Sequence, residues 1–279
     1  NQVLSAGIKL ETNKKAGKDF TLDQLKKEGF EVVFIATGLQ ESRKIDLEGA
    51  GMPDVLWGVD FLRDVTDGKD IRLKDRVLVI GGGNVAVDVA LTALRVGAKD
   101  VTMACLESRQ EMPASSWEID QAVQEGVKLM PSWGPQRIIG DNGKIKAVEL
   151  VTCTCVFDEK GAFCPAFGEA KETVEADQVI LAIGQAADLS FVSGNGQVQC
   201  ERGLIKVNPE TQETGMPGVF AGGDVGKGPG AIIDAIAAGR RAATAIDKFL
   251  GGDGVLSEHY AEKPDTGSYT GARERGFAD

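Results

Sequence analysis

The apolar residues of this chain fall into short, largely unbroken runs, each stopped by small residues. Such runs lie within 30–38, 77–80, 101–105, 127–130, 177–184 and 218–224. A run of this kind predicts a strand covered on both faces, as in a parallel sheet held between two layers. Other stretches carry helical period. Ala86, Val89, Ala90, Ala93, Leu94 and Val96 supply one apolar face, with Gly97 as the stop. Thr21-Leu22-Asp23-Gln24 and Ser115-Ser116-Trp117-Glu118 have the spacing of capping boxes, and the helices they open end at Gly29 and Gly126. Beyond 224, Ile232, Ile236, Ala243, Ile246 and Leu250 recur near helical period, with Gly239 at a crossing point and Gly251 as the stop.

Two stretches follow a period of two instead. The run 7–12 alternates and predicts a strand. Ile138-Ile139 and 145–151 flank Asp141-Asn142-Gly143, a hairpin signal, and a second turn is expected at Asp158-Glu159-Lys160-Gly161. The segment 39–74 reads as a connection with a short helix around 59–65, and 252–279 reads as a polar tail. The pattern is that of an α/β fold with a Rossmann-like unit and an antiparallel β-ribbon.

The junction after the run 77–80 carries the clearest chemistry. Gly81-x-Gly83-x-x-Ala86 fits the dinucleotide fingerprint, with Ala in its last position, in a strand–turn–helix–strand context. Gly81 turns the chain sharply, Gly83 lets the backbone approach a pyrophosphate, and Ala86 lets helix and strand pack closely. Gly82, Asn84 and Val85 complete the turn and open the helix, whose free N–H groups and positive dipole end favour phosphate. A glycine-rich βα turn without ligand is the structural alternative.

Composition narrows the classes. The 279 residues carry 31 basic and 42 acidic side chains, a net charge of −11, which argues against a nucleic-acid partner. No apolar run is long enough to span a membrane. Five scattered cysteines, an odd number, argue against a disulfide framework and for a reducing cytoplasm. Cys153-Thr154-Cys155 places two thiols on one side of a strand, with Cys164 across the turn, but this spacing is unlike that of zinc sites. No metal ligand set is assigned. With His259 the sole histidine, sites that need several are excluded.

Ala36-Thr37-Gly38 after a strand, the Gly-x-Gly-x-x-Ala unit, and Val219-Phe220-Ala221-Gly222-Gly223-Asp224 before a long helix occur in that order. Together they resemble the two-dinucleotide-binding flavoprotein oxidoreductases. The segment from Gly81 through Met112-Pro113, with Ala182-Ile183-Gly184-Gln185, is more specifically similar to the glutamate synthase small-subunit family. The resemblance covers about residues 20–250 and implies a nicotinamide-nucleotide domain inserted in an FAD domain. The expected segments are 1–74 (end of the first FAD segment and linker), 75–186 (NAD(P) domain), 187–251 (second FAD segment) and 252–279 (tail). It further implies that Thr37, Gly38, Gly223 and Asp224 face FAD, with Asp224 on the ribityl chain. The helix opening at Ala231 and Ile232 points toward the flavin pyrimidine ring. Ile183, Gly184 and Gln185 lie toward the nicotinamide end of the other nucleotide. The family's first FAD fingerprint and its cysteine-rich iron–sulfur segment have no counterpart here, so the expectation is a C-terminal piece of a longer protein. Disulfide reductases of similar architecture use Cys-x-x-Cys, and this chain has none.

The end of the second strand bears on NAD against NADP. It reads Cys105-Leu106-Glu107-Ser108-Arg109, where NADP-using relatives place two adjacent arginines at Leu106 and Glu107. Glu107 stands 21 residues after Ala86, near the position of a ribose-binding acid. A carboxylate there favours NAD(H), while Arg109 keeps NADP(H) open. The expected function is an electron-input enzyme: NAD(P)H reduces FAD, and electrons leave through iron–sulfur centres elsewhere in the protein or on a partner subunit. No catalytic side chain is named, because the cofactors carry the hydride chemistry. The alternatives are a nucleotide-binding regulatory module without turnover and, with least support, a reductase of a small organic substrate.

Overall fold

The computed structural model describes residues 7–193 and 196–256. In chain order the elements are α1 (Leu22–Lys27), β1 (Val33–Ile35), β2 (Glu41–Ser42), β3 (Val55–Trp57), α2 (Gly58–Thr66), β4 (Arg76–Ile80) and α3 (Asn84–Arg95). There follow β5 (Asp100–Cys105), α4 (Ser116–Gln124), β6 (Lys128–Pro131), β7 (Trp133–Asp141), β8 (Lys144–Phe157), β9 (Phe163–Glu175) and β10 (Gln178–Leu181). The chain ends with β11 (Gln185–Ala186), β12 (Cys200–Glu201), β13 (Leu204–Ile205), β14 (Val219–Ala221), α5 (Asp224–Lys227) and α6 (Ile232–Phe249).

The centre is a five-stranded parallel sheet in the order β3-β10-β4-β5-β6. Alternate residues of its strands serve two different cores, which is why the runs are apolar throughout. Val77, Val79, Val101, Met103 and Ile180 face α2, α3 and α4, meeting Phe61, Val87, Ala90 and Ile119. Leu78, Ile80, Ala104, Val179 and Leu181 face the ribbon β7-β8-β9, meeting Ile138, Ile145, Val148 and Leu150. The result is three layers: helices, parallel sheet, antiparallel ribbon. Complete burial of each such side chain contributes about 1.5–3 kcal/mol. The ribbon's first turn is Asn142-Gly143, with φ of 52° and 77°, the two positive values of a type I′ hairpin. At the second turn Asp158 Oδ1 accepts the N–H groups of Lys160 and Ala162.

A smaller layer forms from the two flanks of this unit. β1 and β14 pair in parallel, Val33 with Val219 through Ile35 with Ala221, across almost the whole length of the insertion. Their core holds Ile35, Val192, Ile205, Met216 and Val225. The two connections also pair, β2 antiparallel to β11. Buried Ser42 accepts the Val59 N–H at 3.1 Å and so caps α2 from another element.

Four expectations from the pattern change. The run 7–12 forms no strand: Ile8 and Leu10 are exposed, and no described strand pairs with it. The segment 39–74 does more than connect, since β3 is the edge strand of the parallel sheet. The box at Ser115 does not form, because Ser115 Oγ and Glu118 Oε2 both accept from Asn84 Nδ2 instead. On α6 Ile232, Ile233 and Ile236 are exposed, Ile246 is half-buried, and small Ala238 and Ala242 are buried. The reason is close approach: a β-carbon on Gly222 would lie 2.9 Å from the Phe34 ring and 3.4 Å from Ala238. The box at Thr21 does form, with Gln24 as its partner. The tail beyond 256, with His259, lies outside the described residues.

One contact ties the N-terminal flank to the later one. Asp188 accepts the hydroxyl of Ser190 at 2.6 Å and its N–H at 3.0 Å, and Lys15 Nζ stands 3.1 Å away. These donors, the hydroxyl foremost and then the N–H and the lysine, hold the Asp188 carboxyl down at about 2. A carboxyl lowered in the folded state contributes stability that is complete above its unfolded value and is lost as pH falls through it toward 2. Asp188→Asn is therefore expected to lower the melting temperature at pH 7 and to narrow the gap from wild type between pH 4 and pH 2. A gap that is constant with pH would refute this role for the charge.

Candidate functional site

Two sets of strand ends carry the residues singled out above. The first lies at the carboxyl ends of β4, β5 and β10. Gly81 follows β4, its N–H donating to the Ala104 carbonyl at 2.9 Å. Its φ is 146°, and a β-carbon there would stand 2.2 Å from the Ala182 carbonyl oxygen. Gly81 is thus required by the approach of the β10 end. At Gly82 a β-carbon would meet Glu107 Oε2 at 2.7 Å and Cys105 Cβ at 3.0 Å. The Glu107 carboxylate, from the end of β5, therefore reaches the glycine turn. Gly83 differs from both. It is the N-cap of α3 with φ −89° and ψ 173°, and a β-carbon there would meet only Pro113 Cγ, at 4.0 Å. Glycine at 83 leaves open space where the helix N-terminus is exposed, and the protein's own packing does not need it.

Asn84 opens α3 and is held by Glu118 and Ser115. Half-buried Val85 packs on the helix-side core. Arg109 pairs with Asp120 of α4 at 2.6 Å. Ser108 is engaged by Glu111 at 2.6 Å. Ile183 packs on the ribbon-side core. Gly184, at φ 114°, gives its carbonyl to the Arg43 N–H at 3.0 Å, and Gln185 Nε2 donates to the Leu39 carbonyl at 3.1 Å. The residues expected toward the nicotinamide end thus meet the paired connections.

The second set lies at the ends of β1 and β14, with Thr37 and Gly38 beside Gly222, Gly223 and Asp224; the Gly222 N–H donates to the Ile35 carbonyl at 3.0 Å. Gly223 adopts φ 71°, which favours glycine. A cavity of about 380 Å3 opens on the β14 side, lined by Gly223, Asp224, Lys227, Asp234, Ala235 and Arg241 among others, and Thr37 and Gly38 are outside its lining. The Thr37 hydroxyl oxygen is buried without a hydrogen-bond partner. An orphaned hydroxyl costs free energy unless something else bonds it. Ala231 and Ile232 are exposed and outside the cavity lining. The Ala231 N–H is taken by Asp234 Oδ2 at 3.2 Å. Lys227 and Arg241 escaped sequence reasoning, since each is an isolated cation in a glycine-rich or helical stretch; Lys227 pairs with Asp234 at 3.3 Å.

The thiols supply no nucleophile at the glycine turn. Burial, helped by the Glu107 charge, pushes Cys105 up to about 12, and burial raises Cys153. All five cysteines are free, and no group of three or more metal-ligating side chains occurs among the described residues.

Comparison with known proteins gives the family. The model of the pyridine nucleotide-disulphide oxidoreductases matches residues 2–239. The chain belongs to this family. Among its members, the chain is 40% identical over 253 residues to the NADP(+)-dependent formate dehydrogenase subunit beta of Moorella thermoacetica, covering 89% of this chain and 36% of that protein. It is 32% identical over 252 residues to the NAD-dependent dihydropyrimidine dehydrogenase subunit PreT of Escherichia coli, covering 88% and 54%. It is 31% identical over 264 residues to the glutamate synthase [NADPH] small chain of Azospirillum brasilense, again covering 88% and 54%. The chain spans about a third to a half of the length of these relatives. The fold is that of Mycobacterium tuberculosis FprA in complex with NADPH, with a TM-score of 0.67 at 17% identity over 85% of this chain and 67% of that one. Lactococcus lactis thioredoxin reductase gives 0.61 at 27% identity, over 78% and 66%. The α/β, Rossmann-like fold inferred from the pattern is thus the fold of the molecule. No helix among the described residues is long and apolar enough to cross a membrane.

Proposed function

We propose that the chain is the electron-input module of a flavoprotein oxidoreductase, taking hydride from NAD(P)H, with NADH favoured, into FAD. The observation that carries this reading is the pair of glycine cradles at parallel strand ends of one molecule. One has an open Gly83 and the Glu107 carboxylate at its rim. The other has the orphaned Thr37 hydroxyl at the end of β1, with Gly223 and Asp224, after β14, in the lining of a cavity. The donor sets fit their groups. At the first, glycine turn and helix N-terminus bind a pyrophosphate, and Glu107 accepts from ribose hydroxyls. At the second, Thr37 finds its missing partner, Gly223 permits close approach, and Asp224 accepts from the ribityl hydroxyls. Hydride transfer itself is chemistry that the two cofactors supply when bound, and the protein's task is alignment. No side chain of this chain is assigned acid–base work.

The relatives' names are those of subunits, which supports electron delivery to iron–sulfur centres on a partner or on the remainder of a longer protein. The unpaired thiols support a cytoplasmic setting. The pairing of β3 with β10 supports moving the start of the nucleotide-binding unit from residue 75 back to about 55. The test is reduction of an artificial dye by NADH with FAD supplied, after flavin has been loaded onto the protein. NADH-dependent turnover is expected. Nucleotide binding without reduction of any acceptor by the flavin-loaded protein would leave the regulatory-module reading in place of this one.

A further inference from the structure

Gly134 is buried near the start of the ribbon, and the place of its absent side chain is taken by two others. A β-carbon there would lie 2.6 Å from Leu106 Cδ2 and 2.8 Å from Phe167 Cε1, so these two apolar groups meet over Gly134. Leu106 directly precedes Glu107. Phe167 belongs to β9 and stands in register with Cys153 of β8. A ladder of backbone hydrogen bonds fixes its distance from the strand end. The Ser132 N–H donates to the Glu107 carbonyl at 2.8 Å, and the Cys153 N–H donates to the Ser132 carbonyl at 2.8 Å. Ser132 makes this bridge in a left-handed conformation, φ 64°, at the corner where the chain leaves the parallel sheet for the ribbon. The phenyl ring of Phe167 is thereby held in place, yet half of it is exposed.

The polar neighbours of Glu107 are already partnered. Arg109 is paired with Asp120, and Ser108 is bonded to Glu111. If Glu107 takes the ribose next to the glycine turn, the base on that ribose lies on the far side from the pyrophosphate. Leu106, next in the chain to Glu107, meets the half-exposed ring of Phe167 at this strand end. We propose that Leu106 and Phe167 form the apolar wall against which the adenine of the nicotinamide nucleotide packs, so that the antiparallel ribbon supplies part of the binding site. This rests on the nucleotide-binding reading above and adds to it a second layer of the fold. A purine offers a π-face to such a wall, and a nicotinamide mononucleotide offers nothing at this end.

The test uses three probes on the whole chain: NADH, ADP-ribose and reduced nicotinamide mononucleotide, each titrated by fluorescence or calorimetry. Loss of a base–aromatic contact weakens binding by roughly tenfold. Phe167→Ala is therefore expected to raise the Kd of NADH and of ADP-ribose about tenfold and to leave the mononucleotide unchanged. Phe167→Trp is expected to restore both adenine-containing ligands, and Leu106→Ala to repeat the pattern of Phe167→Ala. Unchanged NADH and ADP-ribose affinity in both alanine variants would overturn the wall, as would equal losses for all three probes. Failure of the unaltered chain to bind NADH or ADP-ribose would instead overturn the nucleotide-binding reading itself.

Discussion

Gly83→Val is expected to weaken NADH binding by about a hundredfold or more while the melting temperature falls by no more than about 2–3 °C. The two halves of this expectation have separate origins. The fold has room for the side chain: Gly83 has extended dihedrals that any residue adopts, and the nearest atom to an added β-carbon is Pro113 Cγ at 4.0 Å. Valine is a poorer N-cap than glycine, at a cost below about 1–2 kcal/mol. The ligand has no such room, because the pyrophosphate must approach the backbone N–H groups that open α3, and a branched side chain stands in its path. A hundredfold loss corresponds to about 2.7 kcal/mol, the size of one or two charge-assisted hydrogen bonds. Gly81 cannot serve the same purpose. A β-carbon there would press on the Ala182 carbonyl at 2.2 Å, so a substitution would damage the sheet before it reported on a ligand. Wild-type NADH affinity in Gly83→Val would exclude this turn as the pyrophosphate site.

The contrast between the two glycines also shows how far the sequence could be read. The spacing Gly81-x-Gly83-x-x-Ala86 located the turn, because strand, turn and helix are consecutive and their chemistry is local. The Asn142-Gly143 hairpin and the Thr21–Gln24 box were legible for the same reason. Features that depend on distant partners were not. β3 has three residues, and only its pairing with β10, more than 120 positions later, makes it a sheet strand. Ser115 and Glu118 have the spacing of a capping box, but Asn84 competes for both. The isoleucines of α6 recur at the right period, yet Ala238 and Ala242 are the residues buried on it, Ala238 close to Gly222 after β14, and Ile232 is left 83% exposed. Period shows that a stripe exists without showing which neighbour it faces. The same holds for the site. Glu107 was legible as a strand-end acid, whereas Phe167 sits on a ribbon whose register decides what it touches.

Relatives are named for both nucleotides, at 40% identity for one named for NADP(+), 32% for one named for NAD and 31% for one named for NADPH, so the family does not fix the choice. On the proposed reading, the Glu107 carboxylate at the strand end makes the choice. Glu107→Arg is expected to shift the NADPH-to-NADH preference by about three orders of magnitude in favour of NADPH. Two effects of similar size add. Removing the carboxylate abolishes its hydrogen bonds to ribose hydroxyls and its repulsion of a 2′-phosphate, together about 2 kcal/mol. Introducing a guanidinium adds a charge-assisted contact to that phosphate of about the same size. The sum, about 4 kcal/mol, is close to a thousandfold. Arg109, the other candidate for that phosphate, is paired with Asp120 on α4 at 2.6 Å. Breaking that pair with Asp120→Asn frees Arg109 to swing toward the rim, so the double variant should favour NADPH more strongly than Glu107→Arg alone. The check is the ratio of Kd values for the two reduced nucleotides in wild type and each variant. A wild-type protein that already prefers NADPH would show that Glu107 does not face the ribose, and that the 2′-phosphate is met by a cation outside this strand end.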